Sequence, residues 1–263
     1  IRYVLAYGTM LGAVRHKGFI PWDDDIDIMM PRDDYNRFIK LYNDHNPRYQ
    51  VYSIENDDKY TYTMAKVFDQ DTLMIDNTLW RNFDKAGVFV DIFVMDDCPK
   101  SLLGMIFHSF WCFFLRKILY ARVGKENAKG LPKLCYQLLN LISVNWVYKQ
   151  VGKMSKKSSN TSPNRVRTLL YPVLNDYGDK NYNHGKAHFG MLKSWFLECA
   201  EYDFEGHKFY GTKDYDGFLK YYYNDYMTPL PVEKRQPHAL TSNFNFNVDS
   251  KNVREKLYAG RII

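Results

Sequence analysis

One stretch near the start constrains the fold more than any other, Tyr7 to Pro31: YGTMLGAVRHKGFIPWDDDIDIMMP. It holds a Gly8-Thr9 turn, a basic pair (Arg15, His16), and the carboxylates Asp23, Asp24, Asp25 and Asp27. Ile26 separates Asp25 from Asp27, and Ile28, Met29 and Met30 follow. Carboxylates two apart in an apolar run fit a β-strand, where they share a face. Two ionised carboxylates on one face repel unless a cation lies between them. Magnesium, or manganese, is the usual solution, with oxygen ligands, waters and substrate phosphates filling the coordination sphere.

The segments around this stretch read as alternating strands and helices. Residues 2–7 read as a strand that Gly8-Thr9 ends, and Met10 to Arg15 as a short helix. A helix start behind a Gly turn offers free N–H groups to phosphate. Asp25 to Met30 returns as a strand. Pro31 to Tyr42 places Tyr35, Phe38, Ile39 and Tyr42 on one helical face, with Asp33 and Asp34 as charges at its N-terminal end. Tyr49–Ile54 and Thr61–Phe68 read as strands, the second carrying Lys66. DQDT (69–72) is a turn, after which Thr72 to Ile75 pairs back. Val88 to Met95 is an apolar strand interrupted by Asp91. A lone carboxylate there is costly to bury without a partner. A metal shared with the upstream pair is the preferred explanation, and a wet edge is the other. Asp96 and Asp97 read as turn residues.

The middle of the chain changes character. Leu102 to Leu119 is rich in Leu, Phe, Ile and Trp, with His108, Arg116 and Lys117 as polar members. It reads either as a core helix or as a helix lying in a membrane interface. GKENAKG (124–130) reads as a linker, Leu131 to Val147 as a helical stripe, and Lys149 to Ser162 as a polar loop. Residues 166–174 return as a strand or short helix. Trp195 onward forms a hairpin turning at Glu205-Gly206, Lys213 to Tyr226 a helix, and PLPVEKRQPH (229–238) a rigid extended loop projecting Lys234, Arg235 and His238.

Composition narrows the function classes. The 263 residues suit one large domain or a core with a second lobe, and 46% apolar content suffices for a packed core. The net charge of +6 favours phosphate-bearing substrates or an anionic surface. No basic-aromatic run argues for nucleic acid. The four Cys include no CxxC pair, which points to free thiols in a reducing cytoplasm rather than a disulfide framework. The text opens on Ile1 just before a strand, without a signal peptide, and a helix N-terminal to that strand is expected.

Together these motifs resemble the LicD family, which includes bacterial phosphocholine transferases and, more distantly, fukutin and fukutin-related protein. The matching text is YGTMLGAVRHKGFIPWDDDIDIMMPRDDY, AKVFDQDT (65–72), VFVDIF (88–93), YDFEGHKF (202–209), YDGFLKYYYNDYM (215–227) and PLPVEKRQPH (229–238). The likeness covers both ends and is weak from about residue 100 to 190. It implies an α/β (α+β) nucleotidyltransferase-like mixed sheet flanked by helices, with a helical insertion and a C-terminal lobe. The implied division is a catalytic core over 1–100, a helical insertion over 101–162 that faces a membrane in one of the two readings above, and a lobe over 163–263 that completes the site.

By the same resemblance Asp25 and Asp27 hold the metal, with Asp91 as third carboxylate and Asp23 assisting. Gly8, Thr9, Arg15, Lys66, Lys234, Arg235 and His238 are the implied phosphate and substrate partners. The implied reaction moves phosphocholine, or a related alcohol phosphate, from CDP-choline or another CDP-alcohol to a lipid-linked or free glycan. The glycan would belong to teichoic acid, capsule or lipopolysaccharide. The implied place is the cytoplasm at the inner face of the membrane. A nucleotide-sugar glycosyltransferase built on the acid pair, and a catalytically inactive membrane-docked scaffold, are the alternatives.

Overall fold

The computed structural model describes residues 1–42, 47–57, 60, 62–76, 87–158, 164–170, 190–235 and 241–246. Among these the chain forms a mixed α/β fold with seven α-helices and a mixed sheet. The central strand is β6 (Phe89–Asp97), flanked by β2 (Asp27–Pro31) and β4 (Ala65–Asp69). Beyond them lie β1 (Val4–Leu5) on one side and β3 (Tyr49–Tyr52) on the other, giving the order β1-β2-β6-β4-β3. β7 (Arg165–Arg167) pairs with the end of β6, and β8 (Met191–Leu192) pairs with β7. Among the described pairings β2–β6 is parallel and the rest are antiparallel.

β6 is nearly all apolar because both of its faces are covered. Ile92 and Val94 point into one cluster with Met30, Tyr35, Val51 and Ala65. The helix α2 (Arg32–Tyr42) packs there through Tyr35, Phe38, Ile39 and Tyr42, the face expected from its period. Phe93 and Met95 point the other way, into a cluster with Met10, Met29, Phe218, Leu219 and Tyr222. This second cluster joins α1 (Tyr7–Arg15) to α7 (Tyr215–Tyr223), so both ends of the chain share one core. The hairpin β9 (Cys199–Phe204) and β10 (His207–Thr212) turns at Glu205 and Gly206, both at positive φ.

The helices α3 (Leu102–Asn127), α4 (Gly130–Leu139) and α5 (Val144–Ser158) form the middle. Cys112, Leu115, Ile118 and Leu119 of α3 pack on Val144, Val147 and Val151 of α5 and on Leu169 and Leu170. α4 folds back on the outer side of α3. Its Tyr136 meets Tyr120 edge-on at 5.6 Å and lies against Gly124, where a Cβ would stand 2.7 Å from the ring.

Several expectations need correction. α1 begins at Tyr7, so Gly8 and Thr9 form its first turn rather than a turn before it. Asp25 precedes β2, which starts at Asp27. The 124–130 linker is helical through Asn127, where the last turn of α3 closes with the Ala128 N–H on the Gly124 carbonyl at 2.8 Å. The single stripe over 131–147 is two helices broken at Asn140. The expected loop over 149–162 is helical to Ser158, because Val144, Val147 and Val151 form a buried stripe. β5 (Thr72–Asp76) does not pair back on β4; its partner is β11 (Thr241–Phe246). Asp96 and Asp97 belong to β6: Asp96 is buried against Arg32 at 2.7 Å, and Asp97 accepts from Lys193 at 2.7 Å. Asp34 is not a solvated helix-end charge, since it is buried and paired with Arg2 at 2.8 Å. The loop 229–238 contains a 3-10 turn over Val232–Lys234.

Phe218 is fully buried where the two ends of the chain meet. Phe218→Ala is expected to cost about 3–5 kcal/mol, read as a lowered denaturant midpoint at constant slope. A loss below about 1 kcal/mol would mean that the two ends do not share a core.

Candidate active site

The site is built by strand register. Asp27 of β2 stands beside Asp91 of β6, and Asp91 stands beside Lys66 of β4. Alternation puts all three on the face that carries Met29 and Phe93, the side covered by α1. Asp27, Lys66 and Asp91 are all buried. Lys66 Nζ donates to Asp91 Oδ1 at 2.6 Å. The same ammonium lies 3.4 Å from the Phe89 ring centre and 4.9 Å from that of Tyr62. Aromatic faces stabilise a desolvated cation, and two of them flank Lys66 Nζ beside Asp91.

α1 aims the acid strand. Thr9 Oγ1 accepts the backbone N–H of Asp27 at 2.8 Å, and the Ala6 N–H donates to the Asp27 carbonyl at 2.9 Å. The Thr9 hydroxyl therefore positions Asp27. A Cβ at Gly8 would stand 2.5 Å from Asp23 Oδ2. The Asp23 carboxylate thus lies against the first turn of α1, where the helix dipole favours negative charge. Tyr7 opens the helix at φ +40°, a strained value for a non-glycine residue. Phe93 and Tyr222 hold its ring edge-on at 4.8 and 4.9 Å.

Asp25, Asp27 and Asp91 each present a carboxylate oxygen, all within 4.8 Å of one another. Asp23, Asp24 and Asp25 form a second such group. The cost of this crowding shows on Asp27. Burial raises its pKa well above the ordinary value, Asp25, Asp91 and Asp23 raise it further, and Lys66 offsets only part. An all-oxygen, anion-rich donor set of this span fits a hard divalent cation such as magnesium or manganese.

A basic group adjoins the acidic one. Arg15 donates to the Tyr226 carbonyl at 2.6 Å and to His16 Nε2 at 3.0 Å. Burial lowers its pKa, Tyr223 acts in the opposite direction, and Arg235 lowers it again. Arg235 sits 4.8 Å over the ring of Trp22 and donates to the Leu230 carbonyl at 2.7 Å. Thus the last loop returns to the residue preceding Asp23. Lys234 is exposed in the 3-10 turn, and His238 lies outside the described residues.

The roles of Phe89, Tyr62 and Trp22 went unread in the sequence. Phe89 was legible in principle, since it lies two residues before Asp91 on the same strand face. Tyr62 and Trp22 meet their cations through tertiary structure alone.

The first 118 residues match the family model described as LicD/FKTN/FKRP, nucleotidyltransferase domain. The chain is 32% identical over 248 residues to the lipopolysaccharide cholinephosphotransferase LicD of Haemophilus influenzae, spanning 91% of this chain and 87% of that protein. The chain belongs to the LicD family. A short stretch of 41 residues is also 53% identical to an uncharacterised protein of Rickettsia typhi, covering 16% of this chain and 13% of that one. No solved structure matches.

The raised Asp27 pKa fixes a pH dependence. Unfolded Asp27 releases its proton near 3.8, and folded Asp27 well above that. Its contribution to stability is therefore full below the unfolded value and is lost as pH rises through the folded one. In chelator, the wild type is expected to lose stability relative to Asp27→Asn as pH rises from about 4 toward neutrality. Parallel thermal midpoints for the two proteins across that range would contradict the crowding of Asp27.

Proposed function

We propose that this LicD-family chain is a metal-dependent phosphotransferase. It moves phosphocholine, or a related alcohol phosphate, from a CDP-linked donor to a hydroxyl of a cell-surface glycan precursor. The observation that carries this reading is the Asp25–Asp27–Asp91 group with Lys66 on Asp91, in a chain alike along most of its length to a cholinephosphotransferase. The acceptor is a lipid-linked or free glycan of teichoic acid, capsule or lipopolysaccharide. The enzyme works in the bacterial cytoplasm, at the inner face of the membrane. Residues 1–100 supply the catalytic core, 101–162 a helical insertion, and 163–263 a lobe that completes the site.

Asp25, Asp27 and Asp91 hold magnesium or manganese, with Asp23 at the edge of the site. The bound ion supplies neutralisation of the donor pyrophosphate. Gly8 and Thr9, at the start of α1 against Asp23, border the phosphate site. Arg15 and Arg235, with Lys234 next to it in sequence, counter the remaining phosphate charge, and His238 is assigned to the same task by the family resemblance alone. Lys66 fixes the orientation of the Asp91 carboxylate, which takes the proton of the acceptor hydroxyl. The hydroxyl oxygen bonds to the phosphorus that carries choline, the bond from that phosphorus to CMP breaks, and CMP leaves. Positioning and charge neutralisation supply most of the acceleration in such transfers.

CMP release from CDP-choline should require both a divalent cation and a glycan acceptor. Asp25→Ala and Asp27→Ala should each lower turnover by about 10²–10³ or more. Undiminished turnover in Asp27→Ala would sink the metal assignment. Thermal stabilisation by UDP-sugars and not by CDP-alcohols would favour a glycosyltransferase instead.

A further inference from the structure

The described residues leave a row of large apolar side chains in water on the helical insertion. Leu103, Phe107 and Phe110 lie at i, i+4 and i+7 on α3, with Leu103 and Phe107 69% and 70% exposed. The row runs on to Tyr120, where α4 joins it through Tyr136. α4 buries none of its own residues, and it leaves Leu131 73% exposed, with Leu134 and Leu138 beside it. Soluble monomers seldom leave such rows uncovered.

Charge identifies what covers them. Residues 100–141 carry seven Lys and Arg against one Glu, a surplus of six. The whole chain carries 36 basic against 30 acidic residues, the same surplus, so the remainder is neutral. The segment with the exposed apolar rows is thus strongly basic, as is the stretch that follows it to residue 170. Lys129 and Lys133 are exposed on or just before α4. Lys117 holds its ammonium 5.2 Å from the ring of the exposed Phe113, the apolar-stem, charged-tip arrangement suited to a membrane boundary.

We propose that the α3–α4 hairpin docks on an anionic phospholipid bilayer, lying in its interface. A second copy of the chain would bring two surfaces of like charge together. Crossing the bilayer is excluded by packing: α3 is apolar enough to span, but from Cys112 onward its buried residues belong to the core with α5. The docking face is also separate from the candidate site. Asp91 lies six residues before the end of β6, about 20 Å along an extended strand, and α3 starts only beyond that end. The inference draws on the proposed transfer to membrane glycan only for its purpose.

The test is flotation of the full chain with phosphatidylcholine vesicles, with and without phosphatidylglycerol. The wild type should float with the anionic vesicles and far less with the neutral ones. Phe107→Glu/Leu131→Glu should lower the floated fraction about tenfold, with unchanged circular dichroism and thermal midpoint, because both side chains are exposed. Lys129→Glu/Lys133→Glu should remove the preference for phosphatidylglycerol. A wild type that stays in solution with both vesicles would overturn the proposal. So would variants that float like the wild type, or a dimer that the Glu substitutions dissociate. Flotation needs no substrate: its failure would leave phosphocholine transfer standing, and absent turnover would leave flotation standing.

Discussion

Three side chains on adjacent strands, Asp27, Asp91 and Lys66, form the interaction on which the rest depends. Parallel pairing of β2 with β6 brings the two carboxylates level, and antiparallel pairing of β4 with β6 brings the lysine level with them. A slip of one residue in either pairing would turn one charge to the opposite face, into the cluster of Ile92 and Val94. The register is held by apolar neighbours: Met29 and Phe93 on one face, Met30 and Ile92 on the other. Core packing thus fixes a charged arrangement that is costly by itself. Breaking the buried Lys66–Asp91 pair would leave one charge uncompensated, and Asp27 remains crowded even with it.

The surrounding elements serve that row. α1 supplies Thr9 to Asp27 and makes room at Gly8 for Asp23. α7 returns from the far end of the sequence to pack under α1, and Arg15 ties α1 to the Tyr226 carbonyl. The last loop places Arg235 on Trp22. Acidic and basic groups therefore meet from parts of the chain far apart in sequence. The helical insertion leaves the sheet beyond the other end of β6, so a surface function there need not disturb the site.

Much of this was legible in the sequence where local pattern and tertiary role agree. The strand that carries Asp27, the α2 face through Tyr35 and Phe38, the 199–212 hairpin and the α7 stripe all follow from period and turn chemistry. The α5 helix was hidden because the break at Asn140 resets the phase of the stripe and its Lys residues resemble a loop. Asp34 read as a helix-end charge and Asp96 as a turn residue because their arginine partners lie 32 and 64 residues away. Thr9 read as a phosphate ligand because sequence cannot show that its hydroxyl is committed to the Asp27 backbone. The aromatic faces around Lys66 depend on register across strands, which no single segment encodes.

The most direct measurement is anomalous diffraction from crystals grown with manganese and CDP-choline. A peak bounded by carboxylate oxygens of Asp25, Asp27 and Asp91, with the donor pyrophosphate against it, is the result expected of a transfer centre. A donor bound with no metal between those carboxylates, or a peak confined to Asp23 and Asp24, would contradict the assignment.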